Sequence, residues 1–311
     1  MIRFGRTLVL VGTLLTGAGA ALAAQEPVIR PRGHEIDIAH HLGNAHAIEL
    51  PFVGEVALPR IAPIHIGGLT IDLSPTKHLV FMLLAATIVA LVFLLSARSI
   101  AAAQAKGRPA KGFAGAMEAT ALWVRQEVVL PNVGPHGEGY TPYLLTLFFF
   151  ILAMNLLGLL PWGATATGNI AVTAGLAVMA FVVVEVTGMI TLGPKGYLST
   201  IFYLPHGLPG GIGGAGLKVV LLAVLTPIEI IGKLAKPFAL AVRLFANMTS
   251  GHVLVLALIG LTFLFQSYSV GLAASALATG VMLLELFVAF LQAFVFTLLT
   301  AVFIGLMREA H

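Results

Sequence analysis

Between Lys236 and Arg308 the chain carries only two charged side chains, Arg243 and Glu285, and a single histidine, His252. A guanidinium near the centre of a bilayer costs ~2.5–3.5 kcal/mol on insertion scales. Arginines near a helix end avoid that cost by snorkelling to the headgroups, but Arg243 lies deep within its apolar run, which favours a partner or a water-filled path. Glu229 stands fourteen residues before Arg243 and His252 nine after it, or ~21 Å and ~14 Å along a helix. Carboxyl and imidazole groups relay protons once burial and neighbours bring them near ambient pH. Arginine, with a pKa above ~12, does not. Acids and a histidine on either side of a permanent cation describe two half-pathways, with the cation blocking direct passage and attracting a carboxylate from outside the chain. The competing explanation is a set of unrelated polar residues satisfied inside a bundle.

The elements that hold these groups read as a hairpin. From Lys218 the chain is apolar almost without pause to about Gln266, a polar turn follows over Gln266–Ser269, and a last apolar helix runs from Val270 to Met307. At ~1.5 Å per residue both helices exceed what a ~30 Å hydrocarbon core requires, so they tilt, bend or lie partly along the membrane. Pro227 and Pro237 are expected to kink or interrupt the first of them. Folding the pair about Tyr268 puts His252, sixteen positions before it, level with Glu285, seventeen after. The same fold puts Arg243, twenty-five before, level with Gln292, twenty-four after.

Composition agrees. A chain of 311 residues with 59% hydrophobic and 10% charged content and a mean hydropathy of +1.00 is an all-α, multi-spanning membrane protein of about five membrane helices. It has no cysteine, which excludes disulfides, thiolate nucleophiles and cysteine metal sites. The net charge of +4 is modest and its basic residues gather in loops, which suits membrane topology and not nucleic-acid binding.

Residues 1–24 read as a signal peptide: Arg3 and Arg6, an apolar stretch from Leu8 to Leu15, and the small-residue motif Ala21-Leu22-Ala23. Residues 25–76 then form an extracytoplasmic segment holding six of the thirteen acids. Its histidines between His34 and His46 show no ligand spacing with a third carboxylate partner, so neither a metal nor a cofactor is expected. A first span begins at Lys77 and is followed, within residues 77–112, by a loop carrying Arg98, Lys106, Arg108 and Lys111, which marks the cytoplasmic side. Residues 113–135 read as an interfacial amphipathic helix. Residues 141–192 hold the second and third spans. Glu185, inside the third, is either a pathway group or a carboxyl paired within the bundle. Residues 193–217, rich in glycine and proline, form a second cytoplasmic loop, and residues 218–311 are the hairpin, with a cytoplasmic C-terminus.

Three blocks carry a resemblance: Pro227-Ile228-Glu229-x3-Lys233-x2-Lys236-Pro237, Arg243-Leu244-Phe245-x-Asn247-Met248, and Leu291-Gln292-Ala293-Phe294-x-Phe296. In type, order and spacing they resemble the a subunit family of bacterial F-type ATP synthases. The resemblance is strong over about 218–307, moderate over 75–192 and absent from the lead. It implies a strongly tilted helical hairpin against a ring of c subunits, with small residues at Ala239, Ala241, Ala246, Ser250 and Gly251 allowing close approach. It implies further partners in b-type peripheral stalk subunits, the F1 head and the lipid bilayer, in a bacterial inner membrane. By it, Arg243 matches the essential stator arginine, Asn247 and Gln292 its polar neighbours, and Glu229 an acid of the cytoplasmic half-channel. Many bacterial members have an acid where His252 stands and a histidine where Glu285 stands. Here the types are exchanged, as in other branches, keeping an acid–histidine pair at one depth. With no Gly-x4-Gly-Lys-Ser/Thr loop the chain is expected to bind no nucleotide and to catalyse nothing on its own. The rival is a secondary transporter with an anionic substrate at Arg243. It predicts inverted repeats, and none are visible.

Overall fold

The computed structural model describes residues 47–50, 54–61, 64–66, 69–71, 74–134, 137–160, 163–202 and 212–308. The signal peptide, the cluster from His34 to His46 and part of the loop at 193–217 lie outside these residues. Within the lead, two short antiparallel hairpins, β1–β2 (Ala47–Leu50, Gly54–Ala57) and β3–β4 (Ile64–Ile66, Leu69–Ile71), stand where the sequence suggested only a polar tail.

The remaining elements among the described residues are helices. Helix α1 spans Lys77–Gln104, with the Thr76 hydroxyl accepting from the Leu79 amide at its start. After the turn at Gly107 and Gly112, both with positive φ, α2 (Gly112–Trp123) continues through a π-helical stretch (Val124–Val129) into α3 (Leu130–Val133). A 3₁₀ turn at Gly137–Tyr140 opens α4 (Thr141–Gly158). Helix α5 (Ile170–Ile201) starts on Asn169, whose side chain accepts from the Ala171 amide at 2.9 Å. Helices α6 (Ile212–Phe265) and α7 (Tyr268–Arg308) form the hairpin.

By length and composition, Lys77–Gln104, Gly137–Gly158, Ile170–Ile201 and Tyr268–Arg308 suffice to cross a membrane, and α6 packs chiefly on α7 and α5. The chain is thus an all-α multi-spanning membrane protein. Its packing is that of a lipid-embedded bundle. Large apolar side chains face outward along α1, such as Leu83, Leu91 and Leu95, while α7 turns Ala289, Ala293, Ala301 and Gly305 inward. Where lipid is as apolar as leucine, small residues that let backbones approach hold helices together. Phe148, Leu144 and Ile151 of α4 and Phe296 of α7 fill the spaces between.

Three boundaries differ from the sequence reading. Pro227 and Pro237 lie inside α6 without breaking it, since each removes only one ladder bond from a helix of 54 residues. The described residues of the stretch 193–217 are helical up to Ile201 and again from Ile212: Gly193 (φ 69°) bends α5, Pro194 restarts it with no amide to satisfy, and α6 already includes Ile212. The segment expected at the interface buries Val124, Val128, Val129 and Val133 completely in the bundle core.

Candidate functional site

Helix α6 has two faces where it passes Arg243. Leu240, Ala241, Leu244 and Met248 are buried at the i, i+1, i+4, i+8 spacing of one helical stripe. Ala239, Arg243, Ala246, Asn247 and Ser250 occupy the opposite stripe and are exposed. The inward stripe fixes the rotation of the helix, and that rotation aims Arg243 away from the bundle. Among the described residues its guanidinium makes no hydrogen bond or ion pair. Of the small residues expected to allow close helix approach, Ala239, Ala246 and Ser250 are exposed, whereas Ala241 is buried in the core and Gly251 faces α7.

One turn beyond Arg243, the Asn247 amide donates to Gln292 Oε1 at 2.9 Å. Gln292 is buried, and its Nε2 has no partner among the described residues. Its counterpart across the hairpin is therefore Asn247, not Arg243 as counting from the turn suggested.

Toward the turn, the Glu285 carboxyl packs against Gly251: a Cβ added there would stand 2.7 Å from Glu285 Cδ. The absent side chain makes the space that the carboxyl occupies. His252, the next residue, and Glu285 are both half-buried, so the two groups share one level of the hairpin. Glu285 Oε1 is shielded from solvent and finds no hydrogen-bond donor among the described residues, a position open to a water or a proton-bearing partner. At the other end of α6, Glu229 is half-buried and has no polar partner among the described residues. The structure therefore keeps Glu229, Arg243 and the His252–Glu285 level apart along one continuous helix, and gathers Asn247 with Gln292 between the last two.

Glu185 proves to be paired within the bundle. It accepts from the Tyr197 hydroxyl, and Lys233 of α6 reaches it at 3.4 Å. Lys233 also donates to Thr200 Oγ1 at 3.1 Å and lies 4.6 Å over the Tyr197 ring. Glu185 and Lys233 edge a cavity of about 40 Å³ with Lys236, Pro237 and Phe303, room for a water or two.

A second polar cluster escaped the sequence reading. Asn155, fully buried, donates to the Ala289 carbonyl at 3.1 Å and accepts from Thr167 at 2.7 Å, while His78 lies 3.1 Å from the Thr165 carbonyl. The available signal was Asn155 itself, the one amide side chain in α4. Among the described residues no three His, Cys, Asp or Glu side chains gather as a metal site.

Over most of its length the chain is similar to known proteins. The family model described as "ATP synthase A chain" matches residues 79–305. The chain is 44% identical over 275 residues, covering 88% of it and 76% of the relative, to "ATP synthase subunit a" of Chlorobium phaeobacteroides (strain BS1). To "ATP synthase subunit a 2" of Prosthecochloris aestuarii it is 45% identical over 283 residues, 90% of this chain and 82% of the relative. To "ATP synthase subunit a" of Myxococcus xanthus it is 44% identical over 238 residues, 76% and 73%.

Proposed function

The chain belongs to the ATP synthase A chain family, and from that membership we propose that it is the stator ion channel of an F-type ATP synthase. It passes protons through two half-channels to and from the carboxylates of a c-subunit ring. A proton enters at the level of His252 and Glu285 and neutralises a ring carboxylate, which then turns into the lipid. A carboxylate completing the circuit meets Arg243, is drawn into its ionised form, and gives up its proton past Glu229. Asn247 and Gln292, bonded to each other beside Arg243, hold the polar face against which the ring slides. Because arginine keeps its proton at any ambient pH, the two half-channels never join, and ions cross only by turning the ring. Each charge crossing 100 mV supplies ~2.3 kcal/mol, so several are coupled to one ATP.

The chain itself binds no nucleotide in this reading. The catalytic head and b-type stalk subunits complete the machine in a bacterial inner membrane, with the C-terminus cytoplasmic and the lead outside once its signal is cleaved.

The observation that carries the proposal is the outward guanidinium of Arg243, without a partner among the described residues, on a stripe of small residues. Arg243→Ala should abolish ATP-driven proton pumping in inverted vesicles while the complex still assembles. Lysine should substitute poorly, since a desolvated ammonium loses its proton where a guanidinium does not. Full pumping by Arg243→Ala refutes the mechanism.

A further inference from the structure

Glu229 and Lys233 stand at i and i+4 on an uninterrupted stretch of α6, the spacing and order in which a glutamate and a lysine pair most readily on a helix. Here they do not pair. Lys233 crosses to α5, where the Glu185 carboxylate at 3.4 Å, the Thr200 hydroxyl at 3.1 Å and the Tyr197 ring at 4.6 Å receive it. Both side chains of that ion pair are about nine-tenths buried, at 10% and 11% exposure. Tyr197 braces the same Glu185 carboxylate oxygen, Oε2, through its hydroxyl. Lys236, seven residues past Glu229, is likewise turned away and sits 5.1 Å over the Phe303 ring. Both lysines that follow Glu229 within two turns are thus held elsewhere, and Glu229 is left without a polar partner among the described residues.

We propose that Glu185 is a positioning residue that holds the Lys233 ammonium off Glu229, so that the Glu229 carboxylate stays free to take up and release protons. The inference rests on the reading of Glu229 as a group of the outlet half-channel. An ammonium within ~4–6 Å favours the charged form of a carboxylate, and a carboxylate kept in an ion pair relays protons slowly. Without Glu185, the nearest acid to Lys233 on its own helix is Glu229, one turn away. The tyrosine–glutamate–lysine cluster therefore works as a restraint on a neighbour's charge and not as a carrier.

The test uses the whole synthase in inverted membrane vesicles, with passive proton conduction measured after the catalytic head is stripped and ATP-driven pumping measured before. Glu185→Gln should lower both by about three- to five-fold, the weight of the partly exposed Glu229–Lys233 ion pair that would form instead. Adding Lys233→Met to it should restore both, because the lysine and not the missing acid causes the loss. A purely architectural ion pair predicts the opposite, with the double variant as impaired as the single one or more so, and that result overturns the proposal. So does unchanged conduction in Glu185→Gln when a parallel Glu229→Gln blocks it. If Glu229→Gln conducts normally, the outlet reading itself fails. If Glu185→Gln does not assemble alone, the double variant decides. Assembly with full conduction supports the restraint; loss of assembly shows that the fold needs the pair, and overturns it.

Discussion

Replacing Gly251 by alanine tests whether the Glu285 carboxyl works from where the structure holds it. The added Cβ would lie 2.7 Å from Cδ and 2.9 Å from Cγ of Glu285. Ordinary contact begins near 3.4 Å, so the carboxyl has to retreat by roughly 0.7 Å or more, and the retreat involves the stem as well as the mobile end. Two opposing terms set the stability. Alanine in place of a helical glycine gains about 1 kcal/mol, while forcing a methyl into a filled space costs about 1–3 kcal/mol. The difference is small, and the complex should assemble at near-normal levels.

Function should respond more strongly. Where geometry governs a transfer, displacement of about 1 Å costs up to ~10²-fold. Water on the path softens that, so proton conduction in stripped vesicles should fall by about ten-fold. Glu285→Asp withdraws the carboxyl by one methylene, about 1.5 Å, so Gly251→Ala/Glu285→Asp should conduct better than Gly251→Ala alone. Wild-type conduction by Gly251→Ala, or a double variant worse than both singles, refutes the assignment of that carboxyl to the pathway.

Gly305→Ala should act on the fold and not on the pathway. Its Cβ would lie 3.0 Å from the Asn132 carbonyl carbon and 3.4 Å from Val133 Cα, and backbone cannot swing aside as a carboxyl can. α7 must leave α3, at a cost of about 1–3 kcal/mol or more, read as a lowered melting temperature of the detergent-solubilised complex. Asn155→Leu keeps the volume but strands the Thr167 hydroxyl, from which Asn155 now accepts at 2.7 Å, and removes a second bond, at 3.1 Å, to the helical carbonyl of Ala289. At about 1–3 kcal/mol for a buried group left unmet, the same melting measurement should fall well below that of Asn155→Gln.

The hairpin was legible because a membrane makes polar residues conspicuous: the turn at Gln266–Ser269 and the level shared by His252 and Glu285 follow from counting. The partner of Gln292 did not. Counted from Tyr268, Gln292 lies twenty-four residues after and Asn247 twenty-one before; Phe303 lies thirty-five after and Lys236 thirty-two before. Both contacts carry the same offset of three, and its cause is the lean of every side chain toward the N-terminus of its helix. In an antiparallel pair, residues of α7 reach back toward the turn and those of α6 reach away from it, so contacts join unequal counts. Gly251, with no side chain to lean, meets Glu285 at equal counts of seventeen. Helix ends were less legible, because proline and glycine mark a bend as readily as a stop. At Gly193 the chain bends, and at Pro227 and Pro237 it continues. Pairings between helices distant in sequence, such as Glu185 with Lys233 forty-eight residues on, leave no local pattern to count.

Between Glu229 and Arg308 the chain has four cations, and it treats one of them differently. Lys233 has Glu185, Lys236 has the Phe303 ring, and Arg308 donates to the Val133 carbonyl at 2.7 Å and lies over Tyr140. Arg243 has nothing comparable among the described residues. Glu229 is ~21 Å down the helix and the Glu285 carboxyl is docked at Gly251, eight residues or ~12 Å up it. Among the described residues, a chain that satisfies its other cations from within leaves this one facing outward, open to water or to another molecule's anion. The flanking Ala239, Ala246 and Ser250 admit a second helix backbone at close range, which favours an anion carried on a helix over a dissolved one. A carboxylate delivered on a passing helix satisfies both the charge and the shape of that face. An anionic substrate diffusing to Arg243 satisfies the charge and leaves the stripe of small residues without a reason.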